Sequence, residues 1–257
     1  MLIATFNANS VRARLPIILD WLGANAPDVL CVQETKVQDA DFPVDAFRDI
    51  GYHAVFRGQK SYNGVAVISR SVPDDVTYGL DDGGPPDEPR LICAVCGGVP
   101  IVNTYVPQGV APDSPKFAYK VEWFARLKAF FARRYSPDKP LVWAGDLNVA
   151  REPIDVYNPD VLENHVCFHA DVRKALNDVV EWGFVDVFRE RCPEPGHYTF
   201  WDYRDRNALE RKIGWRLDYI FATKPLAEKC ASARIDIEPR LRERPSDHTF
   251  VIADFNV

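Results

Sequence analysis

The stretch Leu141-Val142-Trp143-Ala144-Gly145-Asp146-Leu147-Asn148-Val149 is an apolar run that ends on a carboxylate and a carboxamide two residues apart. In a β-strand, residues i and i+2 share a face, so Asp146 and Asn148 point the same way at the strand's end. Two polar groups there add little to a buried strand's stability. An aspartate that orients a water, beside an asparagine that donates to an anion, is suited to attack on a phosphate. Such chemistry predicts a metal ligand and a histidine elsewhere in the chain.

Other strand ends supply them. Ile3 to Phe6 reads as a strand that runs into Asn7-Ala8-Asn9-Ser10, and Leu15, Ile18, Leu19 and Leu22 then fall at helical spacing before Pro27. Asp28 to Val32 is a short buried strand that discharges into Gln33-Glu34-Thr35-Lys36. Strand, helix, strand is an α/β opening, and ligands in such folds bind past the strand ends. Pro100 to Val106 carries Tyr105 near its end, Trp215 to Phe221 places Asp218 inside a strand, and Ser246-Asp247-His248 precedes the strand Phe250 to Phe255. Singly these are weak signals: Glu34 reads as a solvated acid, Asp218 as a partner for Arg216 or Arg234, and His248 as a capping histidine. If the strands lie side by side, the polar groups converge on one edge.

The rest of the chain fills out that plan. Tyr52 to Phe56, Val65 to Ile68, Leu91 to Val95 and Tyr198 to Trp201 read as strands, and Tyr78 to Arg90 as a surface loop. Phe117 to Tyr135 is a helix with a stripe of Trp123, Phe124, Leu127, Phe130 and Phe131; Asp171 to Trp182 is another. Glu152 to His169 is an irregular insertion. About ten strands with helices in both halves predict an α/β protein of two mixed sheets packed face to face with helices outside. No linker divides the chain, so one unit is expected over residues 1–257.

Composition narrows the function classes. With 47% hydrophobic residues in 257, a large core is available. No signal-peptide pattern and no apolar run of about 18 residues is visible, so a cytoplasmic protein without a membrane span is expected. The six scattered cysteines suit reduced, buried thiols. A net charge of -6 argues against a general nucleic-acid coat protein, yet permits an enzyme that grips DNA through a local patch. Lys116, Lys120, Arg126, Lys128, Arg133 and Arg134 read as a solvated face. By contrast, Arg204, Arg206, Arg211, Lys212 and Arg216 are interleaved with Trp201, Tyr203 and Trp215, as at a nucleic-acid surface.

Taken together, Phe6-Asn7-Ala8-Asn9-Ser10-Val11-Arg12, Gln33-Glu34-Thr35-Lys36, Asn103-Thr104-Tyr105-Val106-Pro107-Gln108-Gly109, Gly145-Asp146-Leu147-Asn148-Val149, Gly214-Trp215-Arg216-Leu217-Asp218-Tyr219 and Ser246-Asp247-His248 resemble the successive motifs of the exonuclease III / class II AP endonuclease family. The resemblance implies a four-layered α/β sandwich related to deoxyribonuclease I. It also implies a monomer hydrolysing double-stranded DNA at 3' ends and abasic sites: 3' to 5' exonuclease, AP endonuclease and removal of 3' blocking groups.

By the same resemblance Glu34 is the ligand of Mg²⁺ or Mn²⁺, supported by Asn7, Asn9 and Asp247. Asp146 orients and deprotonates the water, and Asn148 holds it. Asp218 orients His248 toward a phosphate oxygen, Tyr105 offers a phenol, and Asp247 assists the metal or the leaving group. Phe200, Trp201, Trp215, Arg216 and Leu217 resemble the pocket for a flipped-out abasic sugar, which excludes nucleotides that keep their base; a core role for the aromatics is the alternative.

Asn164-His165-Val166-Cys167-Phe168-His169 departs most from the family motifs. It reads as a DNA-facing rim in preference to a zinc pair, and bulky groups there would narrow the sugar pocket and favour 3'-end work. Two other classes share parts of the pattern, a phosphatase of inositol phosphates or phospholipids and a DNA-end-binding module with a dead site. The first lacks a reason for the aromatic set, and the second for the intact catalytic groups.

Overall fold

The strand and helix alternation that begins at Ile3 persists along the chain. The computed structural model describes residues 1–84 and 88–257, running β1 (Leu2–Asn7), α1 (Val11–Asn25), β2 (Val29–Gln33), α2 (Val44–Arg48), β3 (His53–Arg57), β4 (Val65–Ser69), β5 (Asp74–Tyr78), β6 (Leu91–Cys96) and β7 (Val99–Tyr105). There follow α3 (Pro115–Arg134), β8 (Val142–Asp146), α4 (Pro159–Leu162), α5 (Ala170–Val180), β9 (Phe184–Asp186), α6 (Val187–Arg191), β10 (Asp218–Thr223), α7 (Lys224–Ala227), β11 (Cys230–Asp236) and β12 (Phe250–Phe255).

Two six-stranded mixed sheets result, in the orders β11-β12-β1-β2-β4-β3 and β5-β6-β7-β8-β10-β9. Three apolar layers hold them. Ala4, Phe6, Leu30 and Ile252 of the first sheet pack on Ile18, Trp21 and Leu22 of α1. Ile3, Val29 and Val251 meet Ile101, Val142, Ala144 and Ile220 between the sheets. Trp143 and Phe221 pack beneath Trp123, Phe124, Leu127 and Phe131 of α3 and Leu176 of α5. This is the four-layered α/β sandwich, with each strand's alternation feeding two different layers.

That alternation also places the polar strand ends. Residues of β8 facing the other sheet run Val142, Ala144, Asp146; those of β1 run Ile3, Thr5, Asn7; those of β7 run Ile101, Asn103, Tyr105; and β10 starts with Asp218 and continues with Ile220 and Ala222. Apolar partners therefore give way to polar ones at a single end of the seam. Two buried amides make the transition: Gln33 donates to Asn103 Oδ1 at 2.7 Å, and Asn103 donates to the carbonyls of Val32 and Ala66 at 3.0 and 2.8 Å. Gly145 is required there, because its φ is +141° and a Cβ would lie 1.9 Å from the Thr104 carbonyl oxygen of the neighbouring strand.

Several elements differ from expectation. Asp218 opens its strand where an interior position was expected, and Tyr198 to Trp201 forms no strand, Phe200 making single bridges to Trp215 and His248. The 152–169 insertion contains the short α4 and a 3-10 turn. Helix α3 starts at Pro115 because the Ser114 hydroxyl accepts from the Phe117 N–H as an N-cap. Part of the expected loop from Tyr78 to Arg90, residues 85–87, lies outside the described residues. All six cysteines are free and five are buried. Among the described residues no helix is long and apolar enough to cross a membrane.

Candidate active site

Where the strands run out at this end of the seam, the chain bends sharply. Asn9, Glu34, Lys36 and Asn148 all take left-handed backbone angles, with φ between +45° and +52°. Non-glycine residues pay strain for this, and it aims their side chains back across the sheet ends. Asn7 is the link between the sheets: its amide nitrogen donates to Glu34 Oε1 at 2.9 Å and to Asp146 Oδ2 at 2.7 Å. Its oxygen accepts from the Asn9 N–H at 2.9 Å. Lys36 Nζ lies 2.7 Å from Glu34 Oε2 and 2.5 Å from Asn9 Oδ1, while the Asn9 amide donates to Asp247 Oδ1 at 3.0 Å.

The second half of the site is a chain of charges. Asp218 Oδ2 is 2.8 Å from His248 Nδ1, and His248 Nε2 is 3.8 Å from Asp146 Oδ2. All three are almost fully buried. Burial alone would pull the His248 pKa down, but Asp218 and Asp146 on its two sides more than reverse this and push it up, so the ring is an imidazolium at neutral pH. Burial, with Asp218 and Glu34 nearby, pushes the Asp146 carboxyl up, and the His248 charge opposes the shift. Glu34 moves the other way: burial would raise it, and Lys36 and the Asn7 amide hold it below the usual glutamate value. The Tyr105 phenol is kept protonated by burial and by the Glu34 and Asp146 charges.

Asn148 serves Asp146 directly. Its N–H donates to Asp146 Oδ1 at 2.8 Å, and its side-chain nitrogen donates to the Val106 carbonyl at 2.9 Å and reaches Asp146 Oδ2 at 3.4 Å. Both amide hydrogens thus have acceptors inside the protein. The oxygen-rich donor set suits a hard divalent cation. Asp146, Asp218 and His248 also offer ligand atoms within 4.8 Å of one another. His248 Nδ1 is committed to Asp218, whereas Glu34 lines the cavity and could hold a metal with the imidazolium left intact, its two oxygens being held here by the Asn7 amide and Lys36.

These groups open onto a cavity of about 230 Å³ that Glu34, Tyr105, Asn148, Asp247 and His248 share with Phe200, Trp215 and Leu217. Phe200 packs against the His248 ring at 4.9 Å. His165 stands at the exposed mouth, its ring 4.4 Å from that of Trp215, with Gln108, Asp202 and Arg204 beside it.

Two expectations are corrected. Arg216 does not line the cavity: it is 1% exposed, and its guanidinium forks onto Asp155 (2.7 and 3.1 Å) and Asp186 (3.0 and 2.7 Å). Trp201 turns away as well, into a small cluster with Tyr198 and Ala208, while its backbone N–H holds the Asp247 carbonyl at 2.9 Å. Lys36, Gln108 and Lys120 were not singled out as site residues. Lys120 is also the exception in a cluster read as a solvated face: it is fully buried, whereas Lys116, Lys128, Arg133 and Arg134 are exposed. Its position on the inward stripe of α3, between Phe117 and Phe124, was the available signal.

A family model described as the endonuclease/exonuclease/phosphatase family matches residues 4–248. The chain belongs to that family. Within it, an exodeoxyribonuclease of Bacillus subtilis is 32% identical over 241 residues, covering 93% of this chain and 94% of the relative. A DNA-(apurinic or apyrimidinic site) endonuclease of Dictyostelium discoideum is also 32% identical, over 92% of this chain and 66% of its own length. Among solved structures, an AP endonuclease from Archaeoglobus fulgidus is 52% identical with a TM-score of 0.98, each chain covered in full. A 3' phosphatase from Neisseria bound to a product DNA hairpin is 39% identical with a TM-score of 0.94, again over both full chains. The chain is an enzyme of the family's exodeoxyribonuclease III and AP endonuclease branch, a nuclease of DNA repair.

Proposed function

We propose that the chain is a Mg²⁺-dependent nuclease that hydrolyses phosphoesters at the 3' ends of double-stranded DNA, and that Asp146 positions the attacking water. The observation that carries this reading is the meeting of Glu34, Tyr105, Asn148 and His248 around one cavity, with the buried carboxylates of Asp146 and Asp218 directly behind them, against Asn148 and His248. Asp146 takes a proton from water as the new oxygen–phosphorus bond forms and the bond to the leaving oxygen breaks. A raised carboxyl pKa suits that task. Asn148, bonded to both Asp146 oxygens, fixes the carboxylate's direction.

The His248 imidazolium, held through Nδ1 by Asp218, presents Nε2–H to a non-bridging phosphate oxygen. Tyr105 places a phenol beside the leaving oxygen. Glu34, with Asn7, Asn9 and Asp247 in support, would hold Mg²⁺ or Mn²⁺, which would supply charge neutralisation on the phosphate.

The preferred substrate follows from the cavity mouth. His165 lines the cavity with its ring against Trp215, and on this reading it narrows the apolar part that an abasic sugar would fill more than the polar part that a 3'-terminal phosphate would reach. Removal of a 3' phosphate and exonuclease digestion are therefore expected to outpace abasic-site cleavage. Labelled duplexes carrying a 3' phosphate, a plain 3' end or an internal abasic site, incubated with Mg²⁺ or with excess chelator, test this. Cutting that persists in chelator refutes the metal role, and abasic cleavage as fast as 3'-phosphate removal refutes the occlusion. His165→Gly is expected to raise abasic cleavage by about tenfold, the size of effect a small change in pocket volume produces.

A further inference from the structure

Lys120 lies on the inward face of α3, and its Nζ donates to three main-chain carbonyls: Gln108 at 3.1 Å, Asn148 at 2.7 Å and Val166 at 3.1 Å. That uses every hydrogen of an ammonium. A fully buried lysine is costly to keep, and here its hydrogen-bond acceptors are neutral carbonyl dipoles in place of a carboxylate. The three carbonyls sit on three separate loops, each of which reaches the cavity. One carries Gln108 and follows directly on Tyr105, the last residue of β7, one carries Asn148 two residues after Asp146, and one carries His165 and Cys167 on either side of Val166.

The loop geometry is adapted to the same joint. Gly109 has φ +97°, and a Cβ there would stand 2.9 Å from Val166 Cγ2 and 3.2 Å from Lys120 Cδ. A bare Cα is what lets this loop close onto the lysine stem. Other ties join the loops in pairs, Asn148 to Val106 at 2.9 Å and Ala150 to Cys167 at 2.8 Å, whereas Lys120 joins all three.

We propose that Lys120 is a positioning residue for phosphoester hydrolysis: its ammonium fixes the three loops relative to one another and so sets where Tyr105, Asn148 and His165 stand around the scissile phosphate. It touches no substrate atom. The proposal rests on the nuclease reading above for its catalytic consequence and on the hydrogen bonds alone for its structural one.

Lys120→Met keeps most of the stem and removes the donors. With Mg²⁺ and a duplex carrying a 3' phosphate, the single-turnover rate at saturating enzyme is expected to fall about 10- to 100-fold, the scale of a sub-ångström to 1 Å misplacement. The Kd for the same duplex in chelator is expected to stay within about threefold, so the loss falls on the bound complex. Amide hydrogen exchange should rise together at residues 106–110, 147–150 and 163–168. Partial unfolding would instead lower the DNA-binding fraction and leave the rate per bound molecule unchanged. A rate per bound molecule within about threefold of the wild type overturns the proposal, as does unchanged exchange in the three loops. If Lys120→Met does not fold, Gly109→Ala perturbs the same joint from the loop side and is judged by the same two readouts. A wild-type protein without turnover on this DNA would refute the proposed function, and the exchange pattern would still decide the role of Lys120.

Discussion

Asp146→Asn is expected to slow single-turnover hydrolysis by about 100-fold or more, within the range that general-base catalysis contributes. The substitution preserves shape while removing the proton acceptor. Asparagine can still accept from the Asn148 N–H, which reaches Asp146 Oδ1 at 2.8 Å, but its amide nitrogen then faces the Asn7 donor that now lies 2.7 Å from Asp146 Oδ2. Some of that cost is offset, because one of three mutually repelling carboxylates, Glu34, Asp146 and Asp218, has been removed. Stability should therefore change little, and DNA affinity should hold, since the phosphate loses a repulsive neighbour. His248→Ala is expected to cost more than about tenfold through loss of a charged donor to the phosphate. Rapid-quench rates at saturating enzyme, set beside binding by anisotropy, decide both. Near-normal turnover in either variant would remove that residue from its assigned role.

Arg216→Met should be the most damaging single change to stability, by about 3–5 kcal/mol, because it strands buried carboxylates without their cation. Arg216 is bonded to Asp155 and Asp186 at 2.7–3.1 Å, and Asp155 keeps a second partner in Arg189 at 2.6 Å, whereas Asp186 loses its only guanidinium in the set. A fall in Tm of roughly 6–20 °C follows for a chain of this size. The pH dependence has a definite sign. Burial would raise the Asp155 carboxyl, but Arg216 and Arg189 hold it below the usual aspartate value. Its ion-pair stabilisation is thus fully present above the unfolded pKa of about 4 and is lost as pH falls through the lower folded value. The gap between wild type and variant should narrow below about pH 4. Equal melting temperatures at pH 7, or a gap that does not change with acid, would contradict this account.

The two variants mark what was legible in the sequence. Glu34, Asp146 and Asn148 could be read as site residues because each ends or closely follows a buried strand; the two-residue pleat dictates the direction of Asp146 alone, while Glu34 and Asn148 are turned toward the site by left-handed backbone that no periodicity signals. Arg216 was misplaced because its partners lie 61 and 30 residues away and carry no local signature. Trp201 failed for a related reason: an aromatic beside basic residues looks the same in sequence whether its ring faces a ligand or a small satellite core. The strand β5 was missed because it is an edge strand with half-exposed, acidic residues and no apolar alternation. Lys120 was visible as a charge on an apolar stripe, but what it bonds could not be known without the loops it gathers.

The Asn7 bridge has a consequence for the life of the chain. Asn7, Glu34, Asp247 and His248 sit at the strand ends of one sheet, and Tyr105, Asp146 and Asp218 at those of the other. On the proposed roles, neither sheet by itself holds the full set of groups. On the proposed function, cutting activity is therefore expected to report that both sheets have docked.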